Sequence, residues 1–115
     1  MDNNYFKKAE DFFNRGRKEY EEGFKERDMV KIREGCEKIF HSFVELSNGI
    51  LREHGYPIPE DHIKGMELLE NFGMDTTYGW IKEYLHNTCY YSGIVRRGLL
   101  DKAIETVDTE IKKRM

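Results

Sequence analysis

No stretch of this sequence approaches the roughly 20 consecutive apolar residues that a membrane-spanning helix requires, and the opening Met-Asp-Asn-Asn lacks the basic and apolar regions of a secretory signal. A soluble, cytoplasmic protein without a membrane partner is the expectation. Glycine contributes 10 of 115 residues and proline 2, too few for linkers or disordered tracts. The two cysteines, Cys36 and Cys89, have no CxxC spacing, which excludes a zinc knuckle and a thioredoxin-type motif. Both fall in helical segments and read as buried free thiols packed as small hydrophobes. No Gly-x-x-x-x-Gly-Lys occurs, so there is no phosphate loop. Ser42 and Ser47 lack the strand-turn-helix context of a nucleophile elbow. No segment sustains the period-two alternation of a half-buried strand, and no block repeats at a fixed interval. Neither sign of charge dominates: 19 basic and 22 acidic residues are interleaved for a net charge of −3, so no global field draws nucleic acid or anionic membrane.

What remains is charge and aromaticity at helical spacing. Charged residues make up 36% and aromatics 13%, the balance of solvated helix faces around one core, and the length suits a single domain over 1–115. Tyr5, Phe6, Ala9, Phe12, Phe13, Gly16, Tyr20 and Phe24 step by three and four residues and define a first helix. Gly16 lies at the centre of its stripe, where another helix can approach closely. Gly23 weakens its end, and Asp28 is a good N-cap for the next. The second helix is carried by Ile32, Cys36, Ile39, Phe40, Phe43, Leu46, Ile50 and Leu51 and runs to about His54, with Gly55 as its left-handed cap. Pro59 with Glu60 and Asp61 starts a short third helix, and Gly73 ends it. A fourth begins at Asp75 or Thr76 and presents Tyr78, Ile81, Leu85 and Cys89 inward until Gly93. Leu99, Leu100, Ala103, Ile104, Val107 and Ile111 define the last. The fold class is all-α, an antiparallel bundle of four to five helices, two of them long.

Two polar constellations intrude on the apolar faces. Glu37, His41 and Glu45 follow one row of the second helix at i, i+4 spacing. In the fourth, Lys82, His86 and Tyr90 share another row, where they either form a small pocket for a nucleotide or anion or satisfy one another across the bundle. Arg96 and Arg97, between the last two helices, are the best local contact for phosphate, and Lys112, Lys113 and Arg114 make a solvated basic end that favours the helix dipole. A metal site is the alternative. Glu83 and His86 match the Glu-x-x-His of di-iron bundles, and Glu37, His41, Glu83 and His86 would form one mononuclear site if the second and fourth helices face each other. No cofactor and no catalytic residue is assigned.

The run Glu37-Lys38-Ile39-Phe40 with Ser42, Phe43 and Val44, followed about forty residues later by Leu85-His86 and Tyr90-Tyr91, resembles the archaeal paREP-type small helical proteins. These are similar to the HEPN superfamily, named for nucleotide binding in higher eukaryotes and prokaryotes. The resemblance covers most of the chain, from Ala9 onward. It implies an antiparallel helical bundle that dimerises, and a function among nucleotide binding, RNA cleavage and association with a small nucleotidyltransferase. The ribonucleases of the superfamily carry an Arg, then four to six residues, then a His, and no Arg here precedes a His at that spacing. Lys82 and His86 are the nearest approximation, and an ammonium does not replace the guanidinium fork. The expectation is therefore a non-catalytic homodimeric module that binds a nucleotide, RNA or protein partner. The alternative is a divergent ribonuclease or metal-dependent hydrolase using His86 with His41 and Glu37.

Overall fold

A computed structural model of the chain describes residues 4–114. Met1, Asp2 and Asn3, which begin the segment read above for a secretory signal, and Met115 lie outside the described residues. The architecture is all-α. Its helices are α1 (Asn4–Glu26), α2 (Met29–Glu53), α3 (His62–Leu69), α4 (Asp75–Ile81) and α5 (Arg97–Lys112). A 3₁₀ turn, Glu70–Phe72, extends α3, and α4 continues directly into a π-helix over Lys82–Tyr91. Among the described residues there is no strand, and no helix is long and apolar enough to cross a membrane.

The two long helices form a hairpin whose backbones nearly touch. A Cβ on Gly16 would lie 2.9 Å from the Gly35 carbonyl oxygen, and one on Gly35 would lie 2.6 Å from the Tyr20 nitrogen. The close approach expected at Gly16 is there. Gly23 does not weaken the helix: α1 runs on to Glu26, and a Cβ on Gly23 would meet the Ile32 nitrogen at 2.7 Å, so this glycine is a third point of contact. Ser42, buried in the same seam, donates its hydroxyl to the Ala9 carbonyl at 2.6 Å. Asp28 caps α2 as expected, accepting from the Lys31 amide at 3.1 Å. α3, α4 and α5 close over the hairpin around Ile39, Phe40, Phe43, Leu46, Leu69, Ile81, Leu85, Leu100 and Val107, all buried.

Three expectations are corrected. Pro59 does not lie in the third helix: Asp61 is the N-cap, accepting from the Lys64 amide at 2.8 Å, and a carboxylate that satisfies an orphan amide outweighs proline's preference for the first turn. The fourth helix is not a regular α-helix to its end. And the cysteines are not free: Cys36 and Cys89 are joined as a disulfide, their Cα atoms 6.5 Å apart, within the range such a bridge spans. Each lies on the inner face of its helix, and packing α2 against the π segment sets the two opposite one another.

Candidate functional site: a histidine and aromatic patch between α2 and the π segment

The patch begins with one stripe of α2. Arg33, Cys36, Glu37 and Phe40 are spaced i, i+3, i+4 and i+7, so they share a helix face, and each engages the π segment. The Arg33 guanidinium donates to the Tyr90 carbonyl from Nε at 2.8 Å and from Nη2 at 2.6 Å, and from Nη2 to the Tyr91 carbonyl at 3.1 Å. Cys36 is bonded to Cys89. Glu37 Oε1 lies 2.7 Å from His86 Nδ1, and the Phe40 ring centroid lies 4.7 Å from the His86 ring. The second carboxylate oxygen of Glu37 lies 3.7 Å from Nε2 of the exposed His41.

The π turn shapes what surrounds His86. In an α-helix only the i+3 and i+4 residues are neighbours on the surface. Here His86 stacks on Tyr90 at i+4, with 6.2 Å between centroids, and also meets Tyr91 at i+5 edge-on at 4.8 Å. The Tyr91 side chain remains 66% exposed, an aromatic face open to a ligand.

A second imidazole arrives from α3. His62 Nδ1 lies 2.6 Å from the Tyr78 hydroxyl, and its ring is 6.1 Å from that of His86 and 5.5 Å from Phe40. Burial holds the His62 pKa below its ordinary value, and Lys82, His86 and His41 push it further in the same direction. Burial also raises the Tyr78 phenol, which therefore keeps its proton. The Tyr78 hydroxyl and His62 Nδ1 share one hydrogen bond, and the lowered pKa favours the neutral His62 ring. His86 Nδ1–H donates to the Glu37 carboxylate. Two imidazoles thus stand side by side, with Lys82 close enough to influence His62.

Glu37 links His86 to His41, and His86 stacks on Tyr90, while Lys82 reaches the group through its influence on His62. The arginines do not join them. Arg97 is committed to joining α5 to α1: it donates from Nη2 to Glu21 at 2.8 Å and 3.1 Å, lies 3.6 Å from Asp101, and stacks 4.3 Å over Phe24. Arg96 lines a separate recess with Tyr84, Thr88 and Leu100. The basic C-terminal residues are ion-paired, Lys112 with Asp108 and Lys113 and Arg114 with Glu110. The four-ligand metal arrangement also fails. Glu83 is exposed and accepts from Asn87 at 3.0 Å, and among the described residues no three His, Cys, Asp or Glu side chains gather closely enough to hold a metal ion. His62 was missed in the sequence because no local spacing links it to the other two. The one available sign was the count: three of four histidines converge here. No family model matches the chain, and neither a curated protein nor a solved structure matches it.

Proposed function

We propose that this chain is a non-catalytic helical module, working as a cytoplasmic homodimer, that binds single-stranded RNA through the patch of His62, His86, Lys82 and Tyr91. The observation that carries this reading is the pair of imidazoles 6.1 Å apart beside an exposed tyrosine. An unstacked base offers a π-face and an edge of donors and acceptors. Tyr91 supplies a stacking surface, His62 and His86 supply ring nitrogens for the base edge, and Lys82 supplies a charge for the adjoining phosphate. The resemblance to the HEPN superfamily supports a ligand of this class, and the apolar Val30, Ile63 and Ile94 left exposed support a second copy.

RNA cleavage is the second reading, since two imidazoles and a lysine are the groups that metal-independent phosphodiester transfer uses. His86, backed by Glu37, suits a general base. The partner would have to be a protonated acid, and the environment of His62 opposes its charged form. That imbalance favours binding over turnover.

Titration of a fluorescein-labelled single-stranded RNA oligonucleotide, followed by anisotropy, tests the proposal. Saturable binding that His86→Ala together with Tyr91→Ala abolishes, without shortening of the RNA, is the expected result. Absence of binding, or equal binding by the doubly substituted chain, rejects it. Native mass spectrometry tests the dimer, and a monomer alone at micromolar concentration would reject that part.

A further inference from the structure

π-helical turns are rare and occur mostly as single-turn bulges within α-helices, so the ten residues Lys82–Tyr91 must be held in that form by their surroundings. The holds come from α2. Arg33 caps the carbonyls of Tyr90 and Tyr91, Glu37 binds His86, and Phe40 packs on the same imidazole. The remaining hold is covalent. Cys36 adjoins Glu37 in sequence, and Cys89 lies between His86 and the tyrosine pair, so the Cys36–Cys89 bond fixes which residues of the segment stand opposite Glu37. Arg33 binds backbone carbonyls, which every register offers; Glu37 and Phe40 meet one side chain, His86, and the disulfide adds the covalent constraint on the same register.

We propose that Cys36–Cys89 is a redox latch that sets the register of the π segment and thereby assembles the histidine and tyrosine patch. A protein or small-molecule dithiol opens it by thiol–disulfide exchange: the S–S bond breaks, two electrons and two protons yield two thiols on this chain, and the reductant is left as its own disulfide. Released, the segment rewinds toward the α register. The i+5 neighbour then turns off the face, so His86 keeps Tyr90 and loses Tyr91. Neither cysteine is exposed, so exchange proceeds through local opening of the segment. In a compartment kept reducing, a disulfide of this kind is transient and senses redox state. The effect on ligand rests on the RNA reading above; the change of register does not.

The test compares the air-oxidised chain with the same chain reduced by a phosphine, with Cys36→Ala and Cys89→Ala together as a second route to the open form. Alkylation of the oxidised chain after unfolding should find no thiol. Nuclear Overhauser contacts between the His86 and Tyr91 rings, 4.8 Å apart when latched, should vanish on reduction, while those between Tyr20 and Phe24, 4.9 Å apart in α1, should persist. Affinity for the labelled RNA should fall about tenfold. Thiols that stay alkylatable after treatment with oxidised glutathione, unchanged His86–Tyr91 contacts, or loss of the Tyr20–Phe24 contacts as well would each overturn the latch, the last by making the bond a staple of the whole fold. Ring contacts that change while RNA binding is absent or equal in both states would leave the latch standing and reject the RNA reading.

Discussion

Glu37 and His86, from helices 49 residues apart in sequence, meet at 2.7 Å with their side chains only 14% and 15% exposed. The pair anchors the patch to the core, since the same imidazole rests on buried Phe40. Glu37→Gln keeps the volume and removes the charge from this hydrogen bond. It should lower stability by about 1–2 kcal/mol, the difference between a charge-assisted and a neutral bond in a largely dry setting. Urea unfolding of the two proteins measures it; an unchanged midpoint would show that the pair contributes nothing.

His62 makes stability depend on pH with a definite sign. Its folded pKa lies below the ordinary 6.5, chiefly through burial and then through Lys82, His86 and His41. Between the two values the unfolded chain binds more protons than the folded one. The contribution of neutral His62 is therefore complete above about pH 6.5 and is lost as pH falls through the folded value. Urea midpoints measured down this range should drop more for the wild type than for His62→Gln, and parallel curves would contradict the assignment.

The hairpin makes a sharper prediction about two glycines. In Gly35→Ala the new methyl would sit 2.6 Å from the Tyr20 nitrogen and 2.7 Å from the Gly16 carbonyl oxygen, backbone atoms that move only if α1 and α2 separate. A loss of about 3 kcal/mol is expected, at the upper end for overpacking. Gly98→Ala meets nothing within 4 Å and lies in the first turn of α5, where the lower backbone entropy of alanine should be neutral or stabilise by up to about 1 kcal/mol. Thermal melts of the two variants separate these outcomes.

Tyr91 should matter to ligand and little to fold. At 66% exposed it contributes small burial, so Tyr91→Ala should unfold within about 0.5 kcal/mol of the wild type. Its affinity for single-stranded RNA should fall by about 1–3 kcal/mol, the usual worth of one stacked base. The two readings come from one denaturation curve and one anisotropy titration.

The long helices were legible because the apolar residues of their buried faces follow the 3.6-residue period, and Gly16 and Asp28 carried information that is local. The rest depends on juxtaposition. Ile81, Leu85 and Cys89 at intervals of four fit an α or a π turn equally well, so the winding of that segment is decided by what α2 offers it. A cysteine buried on each of two helices reads the same whether or not its partner stands opposite. His62 reaches the patch only because Asp61 starts α3 where it does and Tyr78 receives it. Lys82, His86 and Tyr90 shared a legible row, but their relation to Glu37 needed the packing of two helices. Arg97 read as a free phosphate contact because its partners, Glu21 and Phe24, lie on the opposite end of the chain.

The central claim is that His62 and His86 receive the ligand, and the fourth histidine provides an internal control. His54 bonds the Ile50 carbonyl and packs on Phe72, apart from the patch. Long-range ¹H–¹⁵N spectra of the imidazole nitrogens, recorded as single-stranded RNA is added, report all four rings at once. The His62 and His86 ring nitrogens should shift, while those of His54 stay in place. Unmoved His62 and His86 signals in the presence of bound RNA would contradict it.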